Sequence, residues 1–494
     1  MLRFRVYQQG KPVKNLDLSG AYLFGSDGVP LRADLNFADG VITCTKRATG
    51  PAGLALLWPV DGAGRLLLET TRLTERDEPF VLNVELARGQ LMRISHKSED
   101  WGLFDCADAR PLNEDASAAT DLLIRALQAD DPAVAAQRAD ESLGKSIRAG
   151  EAMTAFHAGV LLERRKQTAG FTRRVFGCHA DPAAVVDTGA KLLAESFDFV
   201  TLPFAWKQIE PKEQAFNYKP LDTWVEWFSK NHIPMKGASL VSFQENAIPD
   251  WLYIWEHDFE TVRDLVAEHI RRIVNRYGRY IQVWDVISGV HGIQGFSFNF
   301  EQLIELTRVA ATVTRQVAPR CVSIIELIAP WGEYYARNQR TIPPMLYAEM
   351  LVQSGIQFDA LGLQFCFGAG VDGMFVRDML QISALMDKFG GFGKPVHLTA
   401  VQVPSAVGKG VTDPPGGVWR HRWNESVQSQ WLREFYTIAL SKPFVETVSW
   451  RSLADVPGGP VPHGGLLKTD LARKEAFNSL AALRRDILPN VAPE

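Results

Sequence analysis

Residues 281–328 read IQVWDVISGVHGIQGFSFNFEQLIELTRVAATVTRQVAPRCVSIIELI. The stretch opens on an almost unbroken apolar run, IQVWDVI, and closes on another, CVSIIELI. Strands buried on both faces of a parallel sheet have this continuous apolar character. Between them, NFEQLIELTRVAATVTRQV spaces its apolar residues three and four apart, the period of a helix with one buried face. Strand, helix, strand make one βαβ unit.

The same alternation continues on both sides. RVFGCHA, FDFVTLPF and PMKGASLV precede the unit; FDALGLQF, KPVHLTAV and FVETVSW follow it, with helical stretches such as DFETVRDLVAEHIRRIVNRY and VRDMLQISALMDKF between them. Eight strands in this arrangement predict an α/β fold, a (β/α)8 TIM barrel, over residues 170–494. Residues 1–108 read differently. GLALLWPV, GRLLLETTRL, FVLNVELA and GQLMRISH are short β-type runs punctuated by Gly, Asp and Pro, which predicts an N-terminal β-sandwich-like domain, possible in architecture for a carbohydrate-binding module. Residues 109–169 are Ala/Leu-rich at helical spacing and predict a helical connector, with Asp131 and Pro132 as cap and first turn of its long helix. His157 within it is expected to pack rather than to ligate.

Composition narrows the function. With 53 Lys+Arg against 57 Asp+Glu the net charge is -4, so no nucleic-acid partner is expected. The five cysteines have no CxxC spacing, and no His/Asp/Glu trio has metal-ligand spacing, so neither metal nor cofactor is expected. No run of 18 apolar residues exists, so no membrane partner is expected. The N-terminal MLRFRVYQQGKPVK has no apolar core of a secretory signal, which reads as cytoplasmic. Of the 13 Trp, 11 lie from Trp206 to Trp450.

Barrel active sites sit at the C-terminal ends of the strands. Taken in order, those ends read FGCHA, then IEP, FNY and LD within 209–222, WDV at 284–286, GLQ at 362–364, LTAVQ at 398–402 and Trp450 followed by GGLL. This order resembles glycoside hydrolase family 10, the endo-β-1,4-xylanases, over about residues 171–490. The resemblance implies a retaining mechanism, in which a general acid and a nucleophilic carboxylate stand about 5–5.5 Å apart. The family's acid/base Glu ends the motif WDVVNE, which here reads WDVISG and falls on Gly289. Its nucleophile is the Glu of ITELD, which here reads LTAVQ and falls on Ala400. Other family residues fall on Ala205, Ser242, Phe243 and Cys366, while Gln364, Trp450, Asp285 and Glu210 remain.

Three functions follow. The first is binding of a β-linked oligo- or polysaccharide without turnover. Its substrate-binding candidates are Trp206, Gln244, Trp331, Tyr334, Gln364, Trp450 and Asp455. The second is glycoside hydrolysis by displaced carboxylates. Glu326 lies in the strand SIIEL, where partial desolvation raises a carboxyl pKa towards that of a general acid. Glu333 follows in PWGEYY, Glu245 lies in SFQENAIP, and His291 sits between glycines with an ordinary pKa suited to proton transfer. The third is a structural or assembly role, which predicts a mouth plugged by Phe243, Phe365 and Phe367.

Overall fold

Eight parallel strands close into a barrel: Phe176–His179, Phe199–Pro203, Met235–Ala238, Val283–Ser288, Val322–Leu327, Ala360–Cys366, Val396–Gln402 and Val445–Trp450. They are called strands one to eight below, and strand eight closes on strand one through Cys178 opposite Trp450. The computed structural model describes residues 1–168, 170–171, 174–181, 186–244, 247–292, 295–408 and 410–488. The apolar runs that predicted the strands are buried along nearly their full length, as the strands of a barrel ringed by helices must be. Helix Phe300–Val317, predicted from its period, opens on a capping box in which Asn299 and Gln302 satisfy each other's backbone N–H.

Register sets the level of the polar side chains. Ser288 of strand four lies opposite Glu326 of strand five, and Glu326 opposite Gly362 of strand six. Strand six then shifts by one residue between Leu363 and Gln364, placing Gln364 opposite Ala400. Close packing deeper in the barrel depends on Gly237, where a Cβ would fall 2.2 Å from the Trp284 ring.

The N-terminal β region holds two main sheets. One has the order Phe80–Val81, Leu2–Arg5, Val41–Lys46, Ala33–Ala38; the other runs Val418–Trp419, Gly64–Glu69, Gly53–Val60, Tyr22–Phe24, Pro30–Leu31. Two features differ from the expected antiparallel sandwich. Leu2–Arg5 and Phe80–Val81 run parallel. Leu82–Asp100, which contains most of FVLNVELA and all of GQLMRISH, is a helix. Its Leu82, Val84 and Leu86 fit a strand's alternation, but Leu82, Leu86, Gln90 and Ile94 are buried at the helical spacing of four, and the longer pattern prevails.

Helices Arg110–Leu127 and Pro132–Thr168 follow, and the Asp131 side chain accepts from the Ala133 N–H at 2.9 Å as a cap. At the far end of the long helix the Arg165 guanidinium donates to the carbonyls of Leu440, Lys442 and Val445 at 2.7–3.0 Å, tying the connector to the start of strand eight. His157 stacks on Trp101 at 4.4 Å, and burial pushes its pKa down to about 4.

The N-terminal region grips the barrel through the loops after strands five, six and seven. Val418–Trp419, from the loop after strand seven, pairs antiparallel with Arg65 and Gly64. From the loop after strand six, Phe375 inserts among Tyr22, Phe24, Leu57 and Leu67, and the Val376 carbonyl accepts from the Leu67 N–H at 2.7 Å. Arg377 is fully buried and donates to Glu333 at 2.7 Å, to the Tyr22 hydroxyl at 3.1 Å and to Glu69 at 3.3 Å. Glu151 of the long helix accepts from the Trp419 indole, the Arg420 guanidinium and the Met379 N–H.

Candidate functional site at the barrel mouth

A cavity of about 640 Å³ opens at the C-terminal ends of the strands. Its walls come from the residues after strands one, two, three and eight, among them His179, Ala205, Ser239, Gln244 and Arg451, with Glu326 and Gln364 contributed by strands five and six. A cavity of this volume with a few convergent polar groups is the usual form of a small-molecule site.

Glu326 is 3% exposed and, among the described residues, has no cationic partner in hydrogen-bond contact; hydroxyls hold it instead. Ser288 donates to it, Ser239 donates at 3.4 Å, and Gln244 donates to Ser288 at 3.1 Å. The order is a short relay of donors ending on the carboxylate, and the register of strands four and five creates it. Below lies a buried ion pair, Lys236 with Asp285 at 2.9 Å. Burial pushes Asp285 up to about 7, opposed by Lys236 and reinforced by the charge of Glu326. Across the mouth His179 donates from Nε2 to the Thr399 carbonyl at 2.8 Å, and burial pushes its pKa down to about 4. At neutral pH it is an uncharged ring.

Gly289 follows Ser288 with φ +66°, and a Cβ there would lie 3.1 Å from Ile328 and 3.2 Å from Gln244. Any side chain is strained in that backbone conformation. Ala400 is fully buried and packs with Cys366 and Val461.

The sequence-predicted residues divide into two groups. Glu326, Gln244, Gln364 and Asp455 line the cavity. Asp455 is committed to a loop clasp, accepting from Lys474 at 2.6 Å and the Gly465 N–H at 2.9 Å. The others lie elsewhere. Glu333 is fully buried against Arg377 beneath the N-terminal region, not in a solvated loop. His291 is fully buried; its Nε2 accepts from the Ile328 N–H, and Nδ1 faces the Tyr334 hydroxyl at 2.5 Å. That hydroxyl in turn donates to the Ile342 carbonyl at 2.7 Å, so Tyr334 is also structural. Burial pushes His291 down to about 3, removing it from proton transfer near neutrality. Trp206 stacks on His269 at 4.2 Å and donates to Glu210. Trp450 is fully buried and donates to the Gly464 carbonyl at 3.0 Å. Trp331 is half-buried, with the Arg377 guanidinium 4.3 Å from its ring. Glu245 lies outside the described residues.

None of the three rings expected to plug the mouth lines the cavity, and Phe243 packs edge-on against Phe296 at 5.7 Å. Phe365 and Phe367 are fully buried among Trp331, Trp431 and Phe435, on the outer side of strand six. Sequence reasoning missed His179, Ser239, Arg451 and Lys236, the partner of Asp285. The strand-end rule itself could have found His179, which closes the first strand run.

A closed parallel barrel with its polar cavity at the C-terminal strand ends defines a (β/α)8-barrel protein with its site in the position usual for that class. The family model described as glycosyl hydrolase family 10 matches residues 165–450, more than half of the sequence, and the chain belongs to that family. The endo-1,4-beta-xylanase/feruloyl esterase of Xylanibacter ruminicola is 22% identical over 308 residues, 56% of this chain and 40% of that protein. The endo-beta-1,4-xylanase Xyn10C of Cellvibrio japonicus is 23% identical over 312 residues, 57% of this chain and 49% of that protein. The matched region thus spans less than half the length of either relative. Among solved structures, the family 10 structure from Paenibacillus barcinonensis is 18% identical with a TM-score of 0.49, covering 65% of this chain and 97% of that one.

Proposed function

We propose that the barrel mouth binds a β-linked glycan of the xylan class and does not cleave it by the family's own chemistry. Support for the ligand class comes from family membership and from relatives named as xylanases. Support for the lost chemistry comes from Gly289 and Ala400, which stand where the motif order places the acid/base and the nucleophile. Neither can carry a proton or form a glycosyl ester.

The observation that carries the reading is the set of carboxylates around the mouth. Glycoside hydrolysis in its usual forms needs two, one on each side of the scissile bond. Among the described residues that line the cavity, Glu326 is held by hydroxyls, and Asp181, also in the wall, is engaged by a contact of its own. Asp455 is paired with Lys474, Asp285 with Lys236 beneath the floor, and Glu333 with Arg377 away from the cavity. Gln364, in the cavity wall, is the amide suited to a sugar hydroxyl.

The test is a glycan array followed by product analysis on the purified protein. Expected are retention of xylo-oligosaccharides without shortened products, and roughly tenfold weaker binding for Gln364→Ala, the loss of about one hydrogen bond. Products that vanish in Glu326→Gln would replace this reading with hydrolysis by a displaced carboxylate. Absence of binding to every glycan would remove it.

A further inference from the structure

We infer that the mouth is a one-sided pocket that takes the terminal units of a short glycan, and that the N-terminal region closes the side across which a longer chain would run. The inference rests on the glycan-binding reading above and adds which part of a glycan is held.

A polymer bound along its length needs a groove open at both ends. Here the loops on one half of the mouth are committed elsewhere. The loop after strand seven supplies Val418–Trp419 to the N-terminal sheet, and Trp419 is fully buried. The loop after strand six is held by Phe375, by the Val376 carbonyl and by Arg377. The short helix after strand five carries Glu333 and Tyr334 inward, both buried. Trp419, Phe375, Arg377, Glu333 and Tyr334 of these three loops therefore face protein, where a sugar cannot reach them. The cavity is walled instead by the residues after strands one, two, three and eight. From strands five and six only Glu326 and Gln364 reach it, both from the strands themselves and neither from a loop. Among the described residues, none from the loop after strand seven lines it.

The clamp is built to stay shut. It combines added strand pairing, an apolar insertion and a buried Arg377–Glu333 pair, and releasing it would expose all three at once. The cavity's volume of about 640 Å³ also lies in the range of sites for single small ligands.

The experiment is a calorimetric titration of the full chain with unbranched β-1,4-xylo-oligosaccharides of two to six units. A parallel series carries a bulky aryl cap on one end or on the other. Affinity is expected to level off at roughly two or three units, the content of a cavity in this size range. A cap on the inserted end should weaken binding at least tenfold, while a cap on the opposite end leaves it unchanged. Soluble xylan should bind in proportion to its chain ends rather than its mass. Affinity that climbs steadily to six units, or binding indifferent to caps on either end, overturns the one-sided pocket and leaves glycan binding standing. No binding of any saccharide overturns both.

Discussion

Ser288 donates its hydroxyl hydrogen to Glu326 while accepting one from Gln244, and Ser239 donates to the same carboxylate, so three side chains from one strand and one loop depend on it. Glu326→Ala would leave the Ser288 and Ser239 hydroxyls without their acceptor. A loss of about 1–3 kcal/mol is expected in denaturant unfolding, and less than half of that for Glu326→Gln, whose amide oxygen still accepts. Trp450→Ala makes a second test. Its indole is fully buried, so the expected effect is a loss of about 3–5 kcal/mol of stability in thermal unfolding. A sugar-stacking tryptophan would instead show weaker binding at unchanged stability. The two cases show what a sequence conveys at this scale. Glu326 was legible because one carboxylate in an apolar strand has few places to point. The tryptophans were not, because an indole at a strand end fits a sugar platform and a packed core equally well, and only the neighbouring chain decides. For Trp206 that neighbour is His269, 63 positions away along the chain.

Elements repeat the lesson with longer reach. The periodicity of residues 281–328 delivered strand, helix and strand because each run was long and its pattern unmixed. Leu82–Asp100 misled because an alternation over its first five residues competes with a helical stripe visible only over the whole segment. The clamp between regions was illegible, since Arg377, Glu333, Glu69 and Tyr22 share no local pattern. It is nonetheless testable. Glu333→Ala leaves a buried guanidinium short of its nearest partner and is expected to cost about 3–5 kcal/mol by chemical denaturation. Gly64 is a second point of failure. Its φ of +100° and a Cβ only 2.3 Å from the Val418 carbonyl mean that Gly64→Ala must push the added strand away. A cost of about 1–3 kcal/mol is expected, measurable as a lowered unfolding midpoint.

For the molecule as a whole, buried histidines set the response to acid. His291 is held neutral, its pKa lowered from 6.5 to about 3 by burial. A depressed histidine contributes stability that is complete above its unfolded pKa and is lost as pH falls towards the folded one. The parent should therefore lose about 1.4 kcal/mol per pH unit on this residue's account between roughly pH 6.5 and 3. The difference in unfolding free energy between parent and His291→Gln should shrink with that slope across a pH series. Asp285, raised to about 7, acts in the opposite sense at both proteins and cancels from the difference. The barrel itself was legible because eight repeats of one pattern corroborate each other; the way the N-terminal region sits on it was not, because it depends on contacts far apart in sequence. One such contact reaches into synthesis on the ribosome. Arg65 donates to the Pro414 carbonyl 349 positions later, beside the segment that completes its sheet. At usual elongation rates strand Gly64–Glu69 waits roughly 20–70 s with one edge unpaired. An unpaired edge is a template for association with other chains. A nascent chain paused before residue 418 would thus be the form most in need of a chaperone.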